Sequence, residues 1–210
     1  MTGAWDSKEN TAAFFKAMQE GDNARVLEMI GMPGNRFLST YMSNYDEHTP
    51  LIFAAYHGRN ELVRHLIAKG APVDMPCGRH RGTALVVAVD QAYYEIAEML
   101  LDAGANPNAV NTEGRSALHI AAQSRQKKTV RFLLSRGADP ELQDGKGKTP
   151  LSEARMRDLD EIVTLMEEKT AATRRRREIA ETVDVLCSKG TQRDIPLLPP
   201  CPFKKPGPRP

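Results

Sequence analysis

At 210 residues with a formal charge of +2, the chain has length for one ordinary domain with tails, and it is not a polycation built as a whole for nucleic acid. It is 40% hydrophobic, 27% charged and only 6% aromatic, which points to a modest core of Ala, Leu, Val and Ile. Three distant cysteines, Cys77, Cys187 and Cys201, offer neither a disulfide framework nor four zinc ligands, and no apolar run approaches the roughly 20 residues of a membrane-spanning helix.

Cys77 with His80 is half of a metal-ligand pattern whose second half is missing, so no metal site is expected. Residues 1–10, "MTGAWDSKEN", are polar and lack a secretory core segment; they are expected to be flexible, in a reducing, cytoplasmic setting, with the nucleus as the alternative. Helical spacing begins in "AAFFKAMQEGDNARVLEMI", where Phe14, Ala17, Val26, Leu27 and Ile30 are apolar and Gly21 marks a turn. Four further stretches repeat one design: "HTPLIFAAYHG", "GTALVVAVDQA", "GRSALHIAAQ" and "KTPLSEARMRD".

Their anchors Thr49, Thr83, Ser116 and Thr149 stand 34, 33 and 33 positions apart. A second marker keeps step in "KGAPVD", "AGANPN" and "RGADPE". Two markers holding one period identify a stacked repeat array. The physical reasons are local. The anchors are helix N-caps, where a hydroxyl accepts from an unpaired backbone N–H. Pro50 and Pro150 follow at the first helical position, where no N–H is needed. Leu51, Leu85, Leu118 and Leu151 begin a buried stripe, alanines allow close packing, and a second amphipathic helix ends at Gly70, Gly104 or Gly137.

This pattern resembles the ankyrin repeat. It predicts an all-α solenoid of stacked helix-turn-helix units with short hairpin fingers: five copies at 11–44, 45–77, 78–110, 111–143 and 144–168, the first and last degenerate. The third copy departs from the pattern, with Gly82 one position late and Ala92 where the turn glycine belongs; Tyr93 and Tyr94 are expected to fill that gap in part.

Ser116 three residues before His119 has the residue types of a nucleophile and a base. However, threonine fills the Ser116 position in three other copies, and His119 corresponds to Ile52, Val86 and Ser152. No orienting acid or oxyanion donors present themselves, so both residues read as scaffold. No enzyme activity and no cofactor are expected.

Beyond the array, 169–190 reads as a basic helix in which Ile179, Val183 and Leu186 form a stripe expected to fold back on the last repeat. Its run Arg174–Arg177 is a solvated face or, in the alternative function, a nucleic-acid or nuclear-import patch. The proline-rich end, 191–210, is expected to be disordered; Pro199, Pro202 and Lys204 have the spacing read by proline-binding domains.

The resemblance implies a non-catalytic adaptor, expected to be a monomer, that grips another protein through finger tips and the exposed side of the first helices. Alignment on the cap residue nominates Tyr45, Asp46, His48, Tyr56 and His57 in the second copy and Arg79, His80, Asp90 and Gln91 in the third. The fourth contributes Thr112, Glu113, Arg115, Gln123 and Ser124, and the fifth Lys146, Lys148, Met156 and Arg157. The set leans basic, so a partner with an acidic or mixed surface is expected.

Overall fold

The computed structural model describes residues 8–31, 49–76 and 82–188, and within them ten helices and no strand, apart from one isolated bridge between Val110 and Ser116. The helices come in pairs: α1 (Lys8–Glu20) with α2 (Asn23–Gly31), α3 (Pro50–Tyr56) with α4 (Asn60–Ala68), and α5 (Ala84–Asp90) with α6 (Tyr94–Asp102). The pairs α7 (Ala117–Gln123) with α8 (Lys127–Ser135) and α9 (Pro150–Met156) with α10 (Asp160–Ser188) follow.

The anchors take the expected N-cap positions, although the Thr83 hydroxyl makes no capping bond. Thr49, Thr83, Ser116 and Thr149 are the N-caps of α3, α5, α7 and α9, all in extended conformation, with ψ between 156° and 168°. Thr49 Oγ1 accepts from the Ile52 N–H at 3.3 Å and Thr149 Oγ1 from the Ser152 N–H at 3.0 Å. Each of these helices has seven residues because a left-handed residue stops it at the same place: Gly58, Ala92, Arg125 and Asp158, with φ of 66°, 60°, 56° and 54°. The N–H after each stop donates back to the same small residue: Arg59 to Ala54, Tyr93 to Ala88, Gln126 to Ala121 and Leu159 to Ala154, at 2.8–3.1 Å. The four units therefore share one local geometry.

The second helices α4, α6 and α8 close on Gly70, Gly104 and Gly137, whose φ of 82°, 89° and 92° suits glycine. The following Ala71, Ala105 and Ala138 are buried and donate to Leu66, Leu100 and Leu133, each at 3.0 Å.

Ala54, Ala88, Ala121 and Ala154 are all fully buried, and their size lets α3, α5, α7 and α9 stack in one row. Leu62, Leu66, Ile96, Leu100, Val130 and Leu133 form the matching layer from the second helices, α2 packing on α4 and α4 on α6. Full burial of each such side chain contributes about 1.5–3 kcal/mol, which no single copy could collect alone. The first copy joins through Phe14, Met18 and Val26, all fully buried. At the other end Leu151 is only half-buried, as a last unit requires.

Polar ties repeat with the same period. Asp74 accepts the Asn106 N–H through both oxygens at 2.9 and 3.1 Å, and Asn108 Oδ1 accepts that of Asp139 at 2.8 Å. Asn60 Nδ2 donates to Glu95 at 2.6 Å, and Arg136 pairs with Asp102 and Lys127 with Glu161. Such exposed pairs are screened by water, so they set register more than cohesion.

One expectation needs correction. Tyr93 does not fill the place left by Ala92; its ring lies over Gly58, one repeat earlier. Tyr94 instead meets Phe132 of α8, ring centroids 5.5 Å apart, with the Lys128 ammonium 3.8 Å from the Tyr94 ring centre. Of the expected stripe on α10, the Leu186 side chain lies outside the described residues. Residues from Ala171 onward form a unit of their own, and there Ile179 is 63% exposed.

Candidate partner-binding surface

The seventh residue of each first helix and its C-cap turn outward from the core row. They are Tyr56 and His57, Asp90 and Gln91, Gln123 and Ser124, and Met156 and Arg157. Tyr56 is 48% exposed and Met156 69%. The His57 ring lies 4.3 Å from Phe53 and edge-on to Tyr56 at 5.2 Å. Gln91 donates to Asp90 at 3.4 Å.

The fourth and fifth fingers are built by one device. Asn111 Oδ1 accepts the N–H groups of Glu113 and Arg115 at 3.0 and 2.9 Å, and the Asn111 N–H closes the loop on the Arg115 carbonyl at 3.0 Å. In the next copy Asp144 Oδ1 accepts from Lys146 and Lys148 at 2.9 and 2.8 Å, and its N–H bonds the Lys148 carbonyl at 2.8 Å. Burial acts to raise the Asp144 pKa, but the Lys148 and Lys146 N–H groups and nearby positive charge outweigh it, holding the carboxyl below its ordinary value. The fingers also touch: the Gly145 N–H donates to the Glu113 carbonyl at 2.8 Å.

Between these fingers and the ends of α7 and α9 lies a polar groove of about 260 Å³. Six of the nominated residues line it: Glu113, Arg115, Gln123, Lys146, Lys148 and Arg157. Thr112 and Ser124 are exposed nearby in sequence but do not line it. Asp144 and Glu153 complete the lining and were missed by sequence reading. Glu153 had a legible signal, because its counterparts Phe53, Val87 and Ile120 are apolar. The groove is thus more evenly charged than the nominated set. Arg157 pairs with Glu153 at 3.5 Å and Arg115 with Glu113 at 3.9 Å, while Arg115 also donates to Gln123. Tyr45, Asp46, His48, Arg79 and His80, and the tail residues Pro199, Pro202 and Lys204, lie outside the described residues.

Ser116 and His119 do meet, with Oγ and Nδ1 3.0 Å apart. Yet His119 Nδ1 also accepts the Ser116 backbone N–H at 3.1 Å, so Nε2 carries the proton and donates to the Lys148 carbonyl at 3.1 Å. Both residues are buried, at 1% and 0% exposure. The imidazole lone pair is occupied by backbone and no substrate can reach the hydroxyl, so the pair is a clasp between the fourth and fifth copies. In the fifth copy Ser152 Oγ takes over the first bond, accepting the Thr149 N–H at 2.9 Å. Burial pushes the His119 pKa down, against the Lys148 carbonyl and the charges of Asp144 and Glu153 that raise it.

The profile of the family described as "Ankyrin repeats (3 copies)" matches residues 14–111 and 104–177. This chain belongs to the ankyrin-repeat family. It is similar to an ankyrin repeat-containing protein of Treponema pallidum, at 33% identity over 119 residues that cover 56% of this chain and 40% of that protein. It is 38% identical over 112 residues to the ankyrin repeat and KH domain-containing protein mask of Drosophila melanogaster, covering 50% of this chain and 3% of mask. An L-asparaginase of Dirofilaria immitis matches at 31% over 129 residues, 61% of this chain and 22% of the enzyme. The chain therefore spans less than half the length of these relatives. Ankyrin repeats are protein-interaction units and generally non-catalytic, although, as the asparaginase match indicates, arrays also occur within enzymes. No described helix is long and apolar enough to cross a membrane, and no described cluster of His, Cys, Asp and Glu could hold a metal ion.

Proposed function

We propose that this ankyrin array is a non-catalytic adaptor whose first-helix ends and fingers dock a partner protein across the second to fifth copies. The observation that carries the reading is the convergence of Arg115, Gln123, Lys146, Lys148 and Arg157, from two copies, on one groove. None of these side chains is a fully buried core residue, so their identities are free to serve recognition. Exposed Tyr56 and Met156 supply apolar contact at opposite ends of the same row. The proline-rich tail, through Pro199, Pro202 and Lys204, would recruit a second protein. Affinity capture with the intact chain and with a chain ending at residue 190 tests both parts. The reading expects one partner common to both and lost on Tyr56→Ala with Met156→Ala. A partner indifferent to the array changes would sink it.

A second reading uses the exposed run Arg174–Arg177 on α10 to bind nucleic acid. It expects binding to a DNA duplex that weakens steeply with salt and vanishes when the four arginines become glutamine.

A further inference from the structure

We infer that the groove between the fourth and fifth fingers receives a carboxylate side chain of the partner, held by Lys146 and Lys148 on one finger and by Arg115 on the other. The inference rests on the docking reading above and names the chemistry that would satisfy it.

The groove's own carboxylates are already engaged. Asp144 is occupied by the N–H groups of Lys146 and Lys148, Glu153 is 12% exposed beside Arg157, and Glu113 faces Arg115. The Lys146 and Lys148 ammonium groups, by contrast, make no ion pair with a described residue. The Arg115 pair is long, at 3.9 Å, and leaves guanidinium donors for an incoming acid. The fifth finger therefore carries an excess of positive charge, two lysines against the one carboxylate of Asp144, although the groove as a whole contains both signs.

The backbone that carries these cations is also held in place. The backbone of Lys148 is fixed at both ends: its N–H on Asp144, its carbonyl on the Asp144 N–H and on His119 Nε2. Lys146 is tied to the same Asp144 oxygen. A finger pinned by the buried histidine behind it presents two lysines with little backbone freedom left to lose on binding. Because the groove walls are polar, an apolar anchor would strand their charges; a carboxylate would not.

The test titrates the isotope-labelled full chain with a synthetic decapeptide of alternating glutamate and glycine, against its glutamine counterpart. The backbone amide signals of Lys146, Gly147 and Lys148 should move with the glutamate peptide alone, and less at high salt. The double change Lys146→Glu with Lys148→Glu should weaken binding about tenfold or more, since attraction becomes repulsion. Asp144→Asn keeps the finger's hydrogen-bond acceptor, removes a competing charge, and should tighten binding a few-fold. Arg64→Glu, at an exposed position of α4, should change nothing. Absence of shifts at millimolar peptide, or equal losses from Arg64→Glu and the lysine pair, would overturn the inference. A captured protein partner lost on Tyr56→Ala with Met156→Ala but unaffected by the lysine changes would overturn this chemistry while leaving the docking face intact. A partner unaffected by either set would overturn both.

Discussion

The ring of Tyr93 stands where a side chain on Gly58 would begin: a Cβ there would lie 2.7 Å from Tyr93 Cζ and 2.8 Å from Cε1. Gly58 is thus favoured twice, by its φ of 66° and by the next repeat's tyrosine. The two demands differ in weight. Tyr93 is 38% exposed and contacts Gly58 with the far end of a rotatable side chain, so it can yield, whereas the backbone cannot. Gly58→Ala should cost about 1–2 kcal/mol, mostly conformational. In a denaturant-melt cycle with Tyr93→Ala the coupling should stay under about 1 kcal/mol; a larger coupling would show that the ring dominates.

The same turn in the next two copies is occupied by Ala92 and Arg125 at φ of 60° and 56°. Glycine there relieves left-handed strain of about 1–2 kcal/mol and adds unfolded-state freedom of about 0.4–1 kcal/mol. Ala92→Gly and Arg125→Gly should each raise the denaturation midpoint, for a stability gain of about 0.5–1 kcal/mol. Ala88→Gly, inside α5, should lower it. A fall for all three would contradict the strain argument.

The caps are not equal. Thr49 Oγ1 is bonded, whereas Thr83 Oγ1 is buried without a hydrogen-bond partner among the described residues. Thr49→Val should cost about 1 kcal/mol, while Thr83→Val, which removes an unsatisfied hydroxyl, should be close to neutral. Equal losses in thermal melts would show that the Thr83 hydroxyl is satisfied in solution.

His119 predicts a direction with pH. Burial lowers its folded pKa, so the unfolded chain binds the proton more readily. The neutral clasp is fully stabilising above the unfolded histidine value of about 6.5, and stability falls as pH drops below it. His119→Ala should cost about 2–4 kcal/mol, from the lost volume and the stranded Ser116 N–H, and should flatten the stability profile between about pH 5 and 7. An unchanged slope would show that other groups set it.

Asp144 and Asn111 hold equivalent fingers with the same oxygen. Asp144→Asn should therefore be nearly neutral in stability at pH 7, and Asp144→Ala should cost about 1–2 kcal/mol. Because the folded Asp144 pKa is lowered, its own contribution is present above the unfolded value of about 3.9 and is lost as pH falls through the folded one. Hydrogen exchange at Lys146 and Lys148 would read the finger directly; fast exchange in Asp144→Asn would refute the equivalence.

The repeat period, the caps, the buried stripes and the outward rows were legible in the sequence because each depends on contacts within a few residues or on the next copy of the same contact. Thr49 and Thr149 cap, Ala54 and Ala121 pack, and Gly70 and Gly104 close their helices for reasons that a short window contains. Alignment on the cap likewise found six of the eight groove residues. Only the tertiary structure decided what meets across copies: Tyr93 over Gly58, His119 on the Lys148 carbonyl 29 residues away, and Asp144 and Glu153 balancing the groove's cations. Those pairings depend on side-chain direction across a stacking interface, and a period fixes the separation of two copies without fixing where their long side chains turn.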